Sequence, residues 1–142
     1  MVQQGFWIGD RSWYVMCYYD IRSESDLLEV EKALLSSGCP YEKVEEALDV
    51  LSDWNTGCTY SNLSERFSVV FIGKATNAEE MYNTIQHETK HVTEHIGEYF
   101  GISPTSEESA YLQGGIAMKM FPAASIVVCP RCHEEERGKY AS

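Results

Sequence analysis

Three of the four histidines in this 142-residue chain lie in one short stretch, His87-Glu88-Thr89-Lys90-His91-Val92-Thr93-Glu94-His95. In a helix, His87 and His91 lie one turn apart on the same side, so both imidazoles can reach one metal ion. Glu88 projects about 100° from His87, where it can take a proton from water on that metal. The spacing predicts a zinc site with two histidine ligands and Glu88 as the catalytic base. The competing interpretation is a solvated helix face.

A catalytic zinc ion needs a third protein ligand. His95 lies about 12 Å along the helix axis from His87, which is too far for the two to share an ion at ligand distances of about 2.0–2.1 Å. Glu107 and Glu108 follow the short turn at residues 101–104, on a second predicted helix that can fold back over the pair. We therefore prefer Glu107 as the third ligand. Glu108 and His95 remain alternatives, the latter more simply as a residue at the rim.

The surrounding sequence predicts the elements that must position these side chains. Residues 66–73 form the clearest strand, and Asn77 and Gly101 are typical boundaries of the long helix that carries the histidines. The other predicted elements are a β-hairpin of residues 5–9 and 12–21, helices from Ser25-Asp26 to Gly38 and from Pro40 to Trp54, a loop at residues 60–62, and a helix from Ser106 to about Met120 that Pro122 ends. We predict a single α+β domain over residues 1–142, with a small antiparallel sheet and packed helices.

Composition limits the classes of partner and the compartment. The 22 acidic residues against 11 basic ones give a net charge of −11, which argues against binding a nucleic-acid backbone. The N-terminal residues lack the pattern of a secretory signal, and no stretch approaches the roughly 20 apolar residues of a membrane span. Five cysteines, an odd number, fit reduced thiols. We expect a cytoplasmic protein with no membrane or nucleic-acid partner.

Two further sequence features, a cysteine pair and a glycine pair, have simple structural interpretations. Cys129-Pro130-Arg131-Cys132-His133 has the spacing of a haem attachment or of half a zinc knuckle. A thiol pair on the polar tail of residues 129–142 is the preferred interpretation. Gly114-Gly115 inside a predicted helix is unfavourable, and close packing on the histidine helix would explain it.

The residues His87-Glu88-Thr89-Lys90-His91 and Glu107-Glu108-Ser109-Ala110-Tyr111 together resemble the gluzincin group of zinc metallopeptidases in a minimal form. The stretch is also similar to small predicted peptidases of phages and mobile elements of gut bacteria. The resemblance covers residues 66–121, the metallopeptidase-like core, and leaves residues 1–60 as an N-terminal sheet and helix part. It implies a zincin-like active-site helix followed by a glutamate-donating helix, with Glu107, three residues before Ala110, as the ligand.

The resemblance implies a zinc-dependent hydrolase of peptides or proteins, in which Glu88 assists the attack of a zinc-bound water. Residues 66–72 would then be the edge strand that aligns an extended substrate. Tyr111 stands where larger gluzincins have an aspartate, and no downstream histidine is evident for stabilising the oxyanion. Two alternatives therefore stay open: a catalytically inactive zinc-binding module for protein interaction, and an acidic DNA mimic from a mobile element. The sequence leaves the oligomeric state undetermined.

Overall fold

The structure is a computed structural model and describes residues 1–128. In that range the chain forms the strands β1 (Val2–Ile8), β2 (Trp13–Ile21), β3 (Gly57–Asn62) and β4 (Phe67–Gly73), and the helices α1 (Glu24–Ser36), α2 (Tyr41–Leu51), α3 (Ala78–Phe100) and α4 (Glu107–Val127). A 3₁₀ turn, Gly9–Arg11, joins β1 to β2. The predicted α+β class and the N-terminal hairpin are confirmed.

The strands form one sheet in the order β1-β2-β4-β3. The outer pairs, β1 with β2 and β3 with β4, are antiparallel, whereas β2 and β4 are parallel. The sheet is therefore mixed, unlike the antiparallel sheet expected from the sequence. Parallel neighbours need a long crossover connection. Here α1, α2 and β3 supply it, so β4 enters the sheet between β2 and β3.

Strand β4 is buried on both faces. Val69 and Phe71 pack with α1 and α2, and Val70 and Ile72 pack with α3 and α4. A continuous apolar run is typical of a strand covered on both sides, which explains why this strand was readily predicted. Its position between two strands means that residues 66–72 are not an edge strand. The edges belong to β1 and β3.

Two predicted boundaries are wrong. Residues 60–62 belong to β3 and not to a loop. Pro122 lies inside α4, which continues to Val127. Proline removes one backbone hydrogen bond within a helix, but Pro122 is exposed. The carbonyl that loses its partner can therefore face solvent, and the helix can continue with a slight bend.

Helix α3, which carries the histidines, begins and ends as predicted. The side chain of Asn77 accepts a hydrogen bond of 2.9 Å from the backbone N–H of Glu80. Gly101 ends the helix in the left-handed conformation, with φ of 72°, which glycine adopts at little cost. These two caps set the boundaries of α3 and so the positions of His87 and His91 along it.

We expect Asn77→Ala to lower the free energy of unfolding by about 1 kcal/mol, because one backbone donor at the start of α3 loses its side-chain partner. Urea denaturation of both proteins measures the difference. Asn83→Ala is the matched control, since Asn83 is exposed in the interior of the same helix. Equal effects of the two substitutions would contradict a capping role for Asn77.

Candidate functional site

The two imidazoles of His87 and His91 converge on the open side of α3. Their Nε2 atoms lie 3.2 Å apart, and their ring centroids are 4.8 Å apart. Two nitrogens bound to one tetrahedral zinc ion at about 2.0–2.1 Å are about 3.3–3.4 Å apart. The pair thus already has nearly the spacing that a shared zinc ion requires.

Glu88 is buried beside this pair, with 2% of its surface exposed. Its Oε1 accepts a hydrogen bond of 2.7 Å from the hydroxyl of Thr59 on β3, and its Oε2 lies 3.9 Å from Nε2 of His87. The side chain also packs closely on Gly57, where an added Cβ would lie 2.8 Å from Cγ of Glu88. The carboxylate is therefore held in one position, with one oxygen directed toward the histidines.

His95, one turn beyond His91 on α3, is connected to the sheet by a hydrogen bond. Its Nδ1 lies 2.6 Å from the hydroxyl of Ser61, which lies 2.7 Å from that of Ser68. Trp13 donates its indole N–H to Ser68 at 2.9 Å. Burial lowers the pKa of His95, and the charge of nearby His91 lowers it further. His95 thus anchors α3 to the sheet through Ser61.

Glu107 and Glu108 lie at the start of α4, away from the histidine pair. Glu107 is exposed, and Glu108 forms an ion pair with Arg11 of the 3₁₀ turn. Among residues 1–128, no three histidine, cysteine, aspartate or glutamate residues are grouped so that they could hold a metal ion. The structure thus brings together His87, His91 and Glu88, but it does not bring Glu107 to them. Glu107 as a ligand stays a prediction.

The position of α4 explains this separation. Helix α4 packs on the flank of α3 that carries Ile85 and Gln86, whereas Glu88 and His95 contact β3 on the other flank. Because α3 and α4 follow each other through a tight turn, the first residues of α4 lie near the last residues of α3. Glu107 is consequently displaced from the pair both along and around α3.

Strand β3 is the part of the site that the sequence does not predict. Gly57, Thr59 and Ser61 alternate along it and contact α3, while Cys58 and Tyr60 face the other core. This period-two pattern was the signal that could have identified the strand. The residues are small or polar and lack the β-branched apolar run that is typical of buried strands.

A groove of about 380 Å³ lies along the edge of β3, between α2 and α3. Residues 58–61 form its floor, and Lys43, His95 and Glu98 are among the residues on its sides. Burial raises the pKa of the Cys58 thiol to about 11, and the charge of Glu88 contributes to this shift. The thiol is therefore protonated at neutral pH and is a poor nucleophile.

The predicted thiol pair Cys129, Cys132 and the adjacent His133 lie outside the described residues. No helix within residues 1–128 is long and apolar enough to cross a bilayer.

Comparison of the chain with protein-family models, curated proteins and solved structures finds no match. The resemblance to gluzincins therefore stays a prediction, carried by the residues of the two motifs.

We expect Thr59→Val to destabilise the protein by about 1–3 kcal/mol, because it leaves one oxygen of the buried Glu88 carboxylate without its donor. Thr59→Ser, which keeps the hydroxyl, should retain most of the stability. Thermal or chemical denaturation of the three proteins tests this. A Thr59→Val protein as stable as wild type, or a larger loss in Thr59→Ser than in Thr59→Val, would contradict this role of the hydroxyl.

Proposed function

We propose that this protein is a zinc-dependent hydrolase of peptide bonds, with His87 and His91 as zinc ligands and Glu88 as the general base. The observation that supports this most directly is the 3.2 Å separation of the two Nε2 atoms beside a buried, oriented carboxylate. A solvated helix face does not require a buried glutamate. The arrangement agrees with the chemistry implied by the resemblance to gluzincins.

When bound, a zinc ion lowers the pKa of water and polarises a carbonyl group. The role of Glu88 is to accept a proton from the attacking water through Oε2 and to return it to the leaving amine. Thr59 holds Oε1, and contact with Gly57 restricts the rest of the side chain. Such restraint keeps a proton acceptor at one position throughout the reaction.

The fit of zinc to this site is partial. The histidines have suitable spacing, but a catalytic zinc ion needs three protein ligands. Glu107 lies at the start of α4, next to the α3–α4 turn and away from the histidine pair. The sequence predicts Glu107, which reaches the pair only after a displacement of α4, with Glu108 and His95 as alternatives. Cys129, Cys132 and His133, which lie outside the described residues, are a further candidate source that we add here.

The groove along β3 supports a peptide as the substrate. An exposed strand edge offers unpaired N–H and C=O groups to an extended peptide, which can add to the sheet as a further strand. Thr59 and Ser61 lie on that edge strand and also contact Glu88 and His95. A peptide on β3 would therefore lie close to the proposed catalytic base. This replaces residues 66–72 as the aligning strand.

A catalytically inactive zinc-binding interaction module is the second candidate. It is favoured by Tyr111, which stands where larger gluzincins have an aspartate, and by the lack of an evident downstream histidine for stabilising the oxyanion. The same groove would then hold a peptide segment of a partner without cleaving it. The two functions differ in what they require of Glu88, which is essential only for hydrolysis.

We expect the purified protein to contain about one zinc ion per chain and His91→Ala to weaken zinc binding by at least about tenfold. Metal analysis after dialysis against a weak chelator measures both. Asn83→Ala, on an exposed position of the same helix, is the control and should keep its zinc. Glu107→Ala and Cys132→Ser identify the third ligand. A wild-type protein that holds no zinc after reconstitution would refute the proposed metal site.

We expect Glu88→Gln to lower kcat by about 10²–10⁴-fold while zinc content stays unchanged, because glutamine cannot accept the proton. Mass spectrometry of a mixture of synthetic peptides incubated with zinc-loaded protein detects cleavage. Glu94→Gln is the matched control, since Glu94 is exposed on the same helix. Zinc-loaded wild type that binds peptides but cleaves none would exclude the hydrolase and favour the interaction module.

A further inference from the structure

Helix α4 is apolar on two opposite faces. One face, with Ile116, Met120 and Ala124, is buried against the sheet and α3. The opposite face is solvent-exposed, yet its large side chains are Tyr111, Met118 and Phe121, with 78%, 71% and 69% of their surfaces exposed. A helix at the surface of a protein ordinarily has a polar outer face. The outer face of α4 is therefore typical of a buried helix and lacks a partner within residues 1–128.

The same outer face carries Gly114 and Gly115. Neither has a positive φ, and a Cβ added to either would meet nothing within 4 Å. The prediction that close packing on α3 explains these glycines is therefore wrong. Glycine weakens a helix interior relative to alanine, and nothing within the described chain requires it here. Two glycines on an outer face allow another backbone to approach closely.

The outer face forms a ridge between two grooves. Tyr111 and Met118 lie at successive seventh positions, so they project in nearly the same direction. A groove of about 380 Å³ separates the ridge from the β1–β2 connection, and one of about 550 Å³ separates it from α3. Tyr82 of α3 is also exposed at the second groove. Ridge and grooves on one surface suit a two-fold contact, in which each copy contributes the same patch.

We propose that this surface, the outer face of α4 with Tyr82, binds a second copy of the chain to form a two-fold homodimer. Tyr82, Tyr111, Met118, Phe121 and Ile126 together expose roughly 600 Å² of side chain. A standard interface uses about 800 Å² per partner, and the surrounding backbone and grooves can supply the remainder. The exposed side chains thus supply most of the area that a stable dimer needs.

Charge also favours a second copy at this surface. Each chain has a net charge of −11, so two copies repel each other over most of their surfaces. From residue 109 to residue 128 the sequence contains one charged residue, Lys119, and no acid. The acids of α4, Glu107 and Glu108, are confined to its first turn, and Glu108 is paired with Arg11. Beyond that turn, the outer face of α4 is where two acidic chains can approach with little repulsion. The polar sequence of residues 129–142, with Glu134 to Glu136, offers few apolar side chains to cover it.

Sedimentation equilibrium of the full chain tests the proposal. Wild type should sediment at twice the 16.1 kDa mass of one chain at micromolar concentration. Met118→Glu and Phe121→Glu should each raise the dimer Kd by at least about 100-fold, since each buries a charge against an apolar partner. Leu28→Glu is the matched control: Leu28 is an apolar residue of α1 with 60% of its surface exposed, and its substitution should leave the dimer intact.

A third variant controls for the case in which Met118→Glu or Phe121→Glu unfolds the protein. Gly114→Gln adds a neutral side chain at an open helical position, so it should raise the thermal midpoint of the monomer and yet weaken the dimer by at least about tenfold. Circular dichroism verifies folding in every case. A monomeric wild type, or a dimer that survives both Met118→Glu and Gly114→Gln, would overturn the proposal.

Discussion

The burial of β4 on both faces is the constraint on which the arrangement of this protein depends. Val69 and Phe71 need cover on one side, and Val70 and Ile72 need it on the other. Two helices on each side provide that cover, with α1 and α2 opposite α3 and α4. Strand β4 can occupy this central position only because the crossover through α1, α2 and β3 brings the chain back alongside β2. The mixed pairing of the sheet follows from the same requirement.

The geometry of the candidate site follows from where α3 lies on this sheet. The helix covers the face toward the β3 edge, so one flank meets the strand and the adjoining side stays open. Glu88 falls on the flank that meets β3 and is buried, whereas His87, one residue earlier, is exposed. A buried carboxylate needs hydrogen-bonding partners, and the polar residues of β3 provide one through Thr59. The small and polar residues of β3 do not resemble a buried strand in the sequence. The same residues provide the hydrogen bonds that the candidate site needs.

Local signals in the sequence predicted local structure well. The Asn77 cap, the Gly101 terminus and the one-turn spacing of His87 and His91 depend on residues within the same helix, and the structure contains all three. The errors concern features that depend on distant parts of the chain. Which strand lies at the edge depends on the crossover, and whether Pro122 ends a helix depends on which face of α4 is covered. The level of Glu107 relative to the histidines depends on the length of the α3–α4 turn.

These long-range constraints affect the proposed function through the third zinc ligand, because they fix where Glu107 lies. Moving Glu107 to the histidine pair would require α4 to be displaced along α3 from the position in which it packs. Such a shift would withdraw Ile116 and Met120 from the core and break the ion pair between Glu108 and Arg11. Burial of two large apolar side chains contributes roughly 3–6 kcal/mol, a large part of the stability of a small domain. A ligand from outside residues 1–128 would complete a zinc site without this cost. If the outer face of α4 is also held in a dimer, the helix is restrained on both sides, and the case against Glu107 becomes stronger.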